Sequence, residues 1–204
     1  MKIEGIASYV DKSGKHHSIE GIGSLPDNVA LESLEVAGEF SFDKISCDRV
    51  KTSGEIDGKS LSGKNFSGEG TVAVDAVEFE TFKLSGSADI DKLVAEEIIM
   101  ESRGGSIGKI KCRNVKIFHG EIHNVGSSIM SKIFGGKSEQ SSRVQIKSIE
   151  ADKIHVENCA VDVIRCKDAF IGKNCVIEKL FVAGECKIDS NSTVGETIRT
   201  ASDT

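Results

Sequence analysis

Four consecutive stretches, VALESLEVAGEFSFDK (29–44), ISCDRVKTSGEIDGKS (45–60), LSGKNFSGEGTVAVDA (61–76) and VEFETFKLSGSADIDK (77–92), align without a gap. Val29, Ile45, Leu61, Val77 and Leu93 head one column. Five residues further along stand Leu34, Val50, Phe66, Phe82 and Ile98, and at plus seven Val36, Thr52, Gly68, Leu84 and Met100. Gly38, Gly54, Gly70 and Gly86 occupy plus nine, and Phe40, Ile56, Val72 and Ala88 occupy plus eleven. A fixed period with aligned apolar columns marks a stacked-repeat architecture, in which each unit buries its apolar positions against its neighbours. Such a body offers long sides and two ends, so function is sought on surfaces before pockets.

Within a unit the apolar positions fall at 0, 2, 5, 7, 11 and 13. Steps of two send alternate side chains the same way, which is strand geometry, and steps of three or four break the alternation at corners. A helix would space its apolar residues at 3.6 throughout. Glycine at plus nine suits a corner because it accepts positive φ, and Val, Ile and Thr within the runs suit strands. The fold read from this is all-β, a single-stranded parallel β-helix with rungs of about 16 residues.

The column continues through Ile110, Val125, Ile149, Ile164 and Leu180. Val29, Ile45, Leu61, Val77, Leu93, Ile110, Ile149, Ile164 and Leu180 form the expected core ladder. The step from Val125 to Ile149 is about eight residues too long, and GSSIMSKIFGGKSEQSS (126–142) reads as a protruding loop. Residues 1–28 fit the period poorly and hold the one proline, Pro26, so they read as an N-terminal cap. The β-helix then spans 29–198 in about ten rungs, with 199–204 as a disordered tail. At roughly 4.8 Å per rung the rod is on the order of 45 Å long. Ile19 and Ile22 at one end, and Ile188 and Val194 at the other, are the candidate end-to-end contacts.

Composition fits a narrow aliphatic core. The 204 residues include no Trp, one Tyr and 21 Gly. Net charge is −6 with 26 basic and 32 acidic residues interspersed, which argues against nucleic acid, since phosphate binding needs a basic stripe. The N-terminal MKIEGIASYVDKSGKHH holds no apolar h-region, and no run approaches the 18 apolar residues of a membrane span. Six cysteines in that setting predict reduced thiols in a cytosolic protein.

Chemical motifs give little. Cys47, Cys112 and Cys166 share the plus-two position with Ala95 and Ala151, so they read as small core filler. His119 and His123 flank a corner glycine without the H-E-x-x-H arrangement, which makes no zinc site. Asp57, Asp75, Asp89 and Asp91 are read as scattered around corners, not as paired catalytic carboxylates. The hexapeptide pattern of β-helical acyltransferases has one copy, IGKNCV (171–176), and the start of another at Val194. No catalytic, cofactor-binding or metal-binding residues are expected. In the loop, Ile129, Met130, Ile133 and Phe134 fall on one helical face opposite Lys132. That patch suits a bilayer interface, a protein partner or folding back on the rod.

Short-rung units such as EADKIHVENCAVDVIRCKDAFIGKNCVIE (150–178), behind an N-terminal cap, resemble the bactofilins, nearest the longer bactofilin-like proteins of Gram-positive bacteria. The resemblance covers most of the chain and implies a right-handed β-helix that polymerises end to end without nucleotide. It implies a cytoplasmic scaffold for cell shape or envelope-associated proteins, at the inner face of the plasma membrane, with itself or a paralogous scaffold protein as partner and no cofactor. Bactofilins are usually shorter and lack a loop like 126–142. Bare rungs at both ends support the same direction, since strand edges of like type can continue the sheet and alternating isologous contacts give a nonpolar filament. The alternatives are a β-helical enzyme, of hexapeptide-acyltransferase or carbohydrate-active type, and a monomeric protein-docking module.

Overall fold

The computed structural model describes the backbone of residues 2–6 and, with side chains, residues 15–25, 28–119 and 143–201. Among these residues it is all-β, with strands β1 (Lys2–Ile6), β2 (His16–Leu25), β3 (Val29–Lys111), β4 (Asn114–His119) and β5 (Val144–Val156). β6 (Cys159–Ile171), β7 (Val176–Val182), β8 (Cys186–Ile188) and β9 (Thr193–Arg199) complete the order. The strands pair in parallel and form the expected β-solenoid, of about nine turns with rungs about 17 residues apart. β3 alone runs for 83 residues, because the chain keeps its inter-rung pairing through the corners.

The glycine column makes one of those corners. Gly21, Gly38, Gly54, Gly70 and Gly86 all have positive φ, from 95° to 154°. A Cβ on Gly54 would lie 2.9 Å from the carbonyl carbon and the amide nitrogen of Gly38, with the carbonyl oxygen nearer still. Each glycine of the column from Gly38 onward meets its predecessor in this way. So the column is required twice, by dihedral angle and by backbone approach. Toward the C-terminus Asn158 (φ 54°) and Asn174 (φ 59°) take left-handed positions instead. Asparagine is among the few residues that accept that conformation.

The core is a set of vertical ladders. Val29, Ile45, Leu61, Val77, Leu93, Ile110, Ile149, Ile164 and Leu180 are all buried in one column. Phe66 stacks on Phe82 in the next rung, with ring centroids 4.7 Å apart and planes 11° from parallel. Gly68 makes room for this pair, since a Cβ there would come within 2.8 Å of the Phe66 ring. Phe79 leans on Phe66 at 5.6 Å and follows Gly63 in the plus-two column. Bulk in one rung is thus offset by a glycine nearby, which keeps a narrow core at interior density.

The structure redraws several boundaries read from the sequence. Ile110 pairs directly with Ile149, so the column passes between them without a rung headed by Val125. The register step there is 39 residues, and residues 120–142, with the loop assigned to 126–142, lie outside the described residues. Within segment 1–28, read as a cap, the described residues continue the same coil: β1 pairs with β2 (Ile3↔Ile19) and β2 with β3 (Ile19↔Val36). At the other end β9 reaches Arg199 and the Thr200 amide still donates to the Val182 carbonyl, so the coil runs past the assigned start of the tail at 199. The sequence missed these rungs because the register step is not constant. It is 17 between β2 and β3, 15 between β5 and β6, and 17 again between β7 and β9.

Candidate assembly surfaces

The last described rung has one face uncovered among the described residues. Among the described residues β9 pairs only with β7, and β8 only with β6. Ile188 stacks on the buried Ile171 and is itself 43% exposed, because no described rung follows it. Val194 stacks on the buried Ile177 and is half-buried against the core. Both side chains lie beside a row of backbone groups with no ladder partner, the geometry that accepts a further strand. At the other end Ile19 is fully buried between β1 and β3. Ile22 does not face the end: it pairs with Glu39, is 47% exposed, and lines a shallow lateral groove of about 160 Å³ with Glu39, Glu55 and Asp57.

The sides differ in charge. Exposed positions between the glycine corner and the next rung carry Glu39, Glu55, Asp57, Asp75, Asp89 and Asp91. These carboxylates form one acidic side instead of being scattered. Asp75 and Asp91 occupy the same place in successive rungs, and Asp57 and Asp89 the same place two rungs apart. The period itself held that signal, had the outward positions been aligned as the inward ones were. Lys44, Lys59 and Lys92 are the cations of this stretch, and Lys59 is held by Asp43 at 2.6 Å. The neighbouring side, around the core-ladder column, carries Lys92, Lys109, Lys111, Arg165 and Lys179 outward, with Glu150 among them bridging Lys109 and Lys111 at 3.7 Å each. Half-buried Val94, Val163 and Phe181 lie among them, and the Arg165 guanidinium rests over the Phe181 ring at 4.8 Å.

Other outward columns alternate in sign from rung to rung. Lys15 pairs with Glu32 at 2.7 Å, Lys64 with Asp48 at 3.0 Å, and Arg113 with Glu96 at 3.7 Å. The fully solvated carboxylate of Glu32 is held below its usual range by the Lys15 hydrogen bond and charge, and Lys15 is raised in return. Each such pair is weak alone because both groups stay in water. Together they fix which residue lies over which.

The cysteines show no sign of reactive chemistry. All six are free thiols. Burial pushes Cys112 and Cys166 up to about 12 and raises Cys47, Cys159 and Cys175 as well. A reactive cysteine needs the opposite shift. Cys166 stacks between Ala151 and Val182, a column of small side chains. His119 is half-buried and pairs with Ser102, while His123 lies outside the described residues. No group of three His, Cys, Asp or Glu side chains is placed to hold a metal among the described residues. Ile129, Met130, Ile133 and Phe134 also lie outside them. No helix among the described residues is long and apolar enough to cross a membrane.

The chain matches no known protein-family model, no curated protein and no solved structure.

Proposed function

We propose that this chain is a non-enzymatic, self-associating scaffold that extends end to end by continuing its coil, without nucleotide. The uncovered face of the last described rung carries the reading. Ile188 and Val194 stand beside the unpaired edge of β9, so a second coil placed there would cover both side chains and complete the ladder. The resemblance to bactofilins points the same way. On this reading the chain organises cell shape or envelope-associated proteins from the cytoplasm, at the inner face of the plasma membrane, with itself or a paralogous scaffold as partner.

Electron microscopy of the purified protein without nucleotide tests the reading. Filaments several rods long are the expected result, and single rods at high concentration would overturn it. Ile188→Glu and Val194→Glu place a charge in the proposed contact at the last step of the ladders, on Ile171 and Ile177. Each should shorten or abolish filaments while leaving the circular dichroism spectrum unchanged. Filaments of parental length from the double variant would remove the C-terminal end from the contact.

A further inference from the structure

We propose that a groove on the side of the rod, centred on Gly108, binds a small zwitterion: an α-amino acid with a neutral side chain. The groove has a volume of about 240 Å³, and Asp91, Ser106, Gly108, Gln145, Lys147 and Asp162 lie along it. Pockets for drug-sized ligands run to roughly 300–1,000 Å³, so this one suits something smaller.

The register explains the groove. Ile107 pairs with Ile146 and Lys109 with Ser148, which sets Gly108 beside Lys147. Lys147 in turn stands beside Asp162, between the pairs Ile146↔Val161 and Ser148↔Val163. On its other side Gly108 packs on Asp91, whose carbonyl oxygen a Cβ at 108 would strike. One outward column therefore runs Asp91, Gly108, Lys147, Asp162, and glycine leaves it empty at one level. Asp91 and Lys147 start from backbones two rungs apart, or roughly 10 Å, with open space between them. Elsewhere opposite charges in adjacent rungs close on each other, as Lys15–Glu32 does at 2.7 Å and Lys64–Asp48 at 3.0 Å. Here they do not. Among the described residues Asp91, Lys147 and Asp162 form no ion pair, with one another or with any other group.

The polar groups fall at two levels. Asp91 offers carboxylate oxygens, and the Ser106 hydroxyl, which donates to Asp89 at 3.1 Å, keeps its oxygen as an acceptor. One rung further on, Lys147 and Gln145 offer donors. One Gln145 amide N–H goes to the Arg143 carbonyl at 3.4 Å, and the side chain holds a second. An α-ammonium on the first pair and an α-carboxylate on the second satisfy both through charge-assisted hydrogen bonds. Asp162, next beyond Lys147, repels a second anionic group, which sets the preference for a neutral side chain. One rod forms the whole groove, so the site does not depend on self-association.

Saturation-transfer NMR with L-alanine tests this, and it reads weak binding to single rods and filaments alike. Alanine should bind saturably with a Kd on the order of 1 mM, since the groups that hold it stay in contact with water. Propionate lacks the ammonium, ethylamine lacks the carboxylate and aspartate adds a charge; each should bind about tenfold more weakly. Asp91→Asn and Lys147→Gln should each weaken alanine by about tenfold. Asp75→Asn, in the same column one rung before Asp91, should leave alanine binding unchanged. These three positions are exposed, so an unchanged melting curve checks that each variant is folded. No saturable alanine signal, propionate or ethylamine binding as tightly as alanine, or parental affinity in either groove variant would overturn the proposal. So would an equal loss in Asp75→Asn, which would trace the effect to overall charge and not to the groove.

Discussion

Replacing Gly54 with alanine probes the corner on which the stacking depends. Gly54 has φ 145°, in a region of backbone space that side chains with a Cβ rarely adopt. Holding alanine there costs roughly 1–3 kcal/mol. The added Cβ also meets the Gly38 backbone of the preceding rung, where nothing can rotate away. Separating the two rungs by the needed distance strands at least one buried backbone group, at roughly 1–3 kcal/mol more. Mid-range values of the two give about 4 kcal/mol, or a fall in melting temperature of about 8–16 °C for a chain of this size. Equilibrium unfolding in urea, followed by circular dichroism in the β region, measures it. Because a solenoid's stability is a sum over neighbouring rungs, the loss should appear at one level and broaden the transition. Two controls isolate the cause. Asn174→Gly, at φ 59°, should cost no more than about 1 kcal/mol, since glycine accepts that backbone. Gly58→Ala meets the Phe42 ring instead of backbone, so it should cost about 1–3 kcal/mol and be relieved by Phe42→Leu. A Gly54→Ala protein within about 1 kcal/mol of the parent would refute the argument that this corner requires glycine.

Phe82→Ala should destabilise by about 3–5 kcal/mol, because it removes the ring stacked on Phe66 and leaves a cavity that the rigid ladder cannot close; urea unfolding checks it, and a loss below about 1 kcal/mol would contradict the packing described. Burial raises the Cys112 thiol from its ordinary 9.0 to about 12, so the folded protein keeps a proton there that the unfolded chain gives up. That stability is fully present below about pH 9 and is lost as the pH rises toward 12. The urea midpoint of the parent should therefore fall over that window more steeply than that of Cys112→Ala, and parallel curves would show that the thiol is not shielded.

The sequence carried the fold because each inward column is a direct physical requirement repeated in every rung. A one-residue slip would turn Ile45 or Leu61 outward, so the period had to survive wherever the core is narrow. It was lost where the corner changes length. The rung headed by Leu93 takes one residue more, at the Gly104–Gly105 corner, and the rung headed by Ile149 takes one fewer before Ile164. Corners absorb such changes without moving the buried side chains, so a fixed ruler did not find that Ile110 pairs directly with Ile149. The end residues were only half legible for a related reason. Ile19 and Ile22 look alike in sequence, but three residues around this coil separate the interior from the side of the rod, and Ile22 falls beside Glu39. The acidic side went unread because outward columns obey no packing rule, and only their charge pattern reveals them.

That freedom of the outward columns is what makes them informative. In one set of columns sign alternates between rungs, as in Lys15–Glu32, Asp48–Lys64 and Glu96–Arg113. Alternation satisfies each charge inside the rod and penalises a rung that slips out of register, since like charges would then be stacked. The carboxylates from Glu39 to Asp91 do the reverse. They gather like charges on one side, at a cost in self-repulsion that folding alone gives no reason to accept. A neighbouring side carries five cations among half-buried apolar residues, with Glu150 between Lys109 and Lys111. Both of these sides are still partly neutralised within the rod, by Lys59 on Asp43 and by Glu150 between Lys109 and Lys111. Ladders that are apolar throughout the interior stay apolar at Ile188 and Val194, in the last described rung. Burial is thus the force available at the last rung, so an end contact made there should withstand high salt.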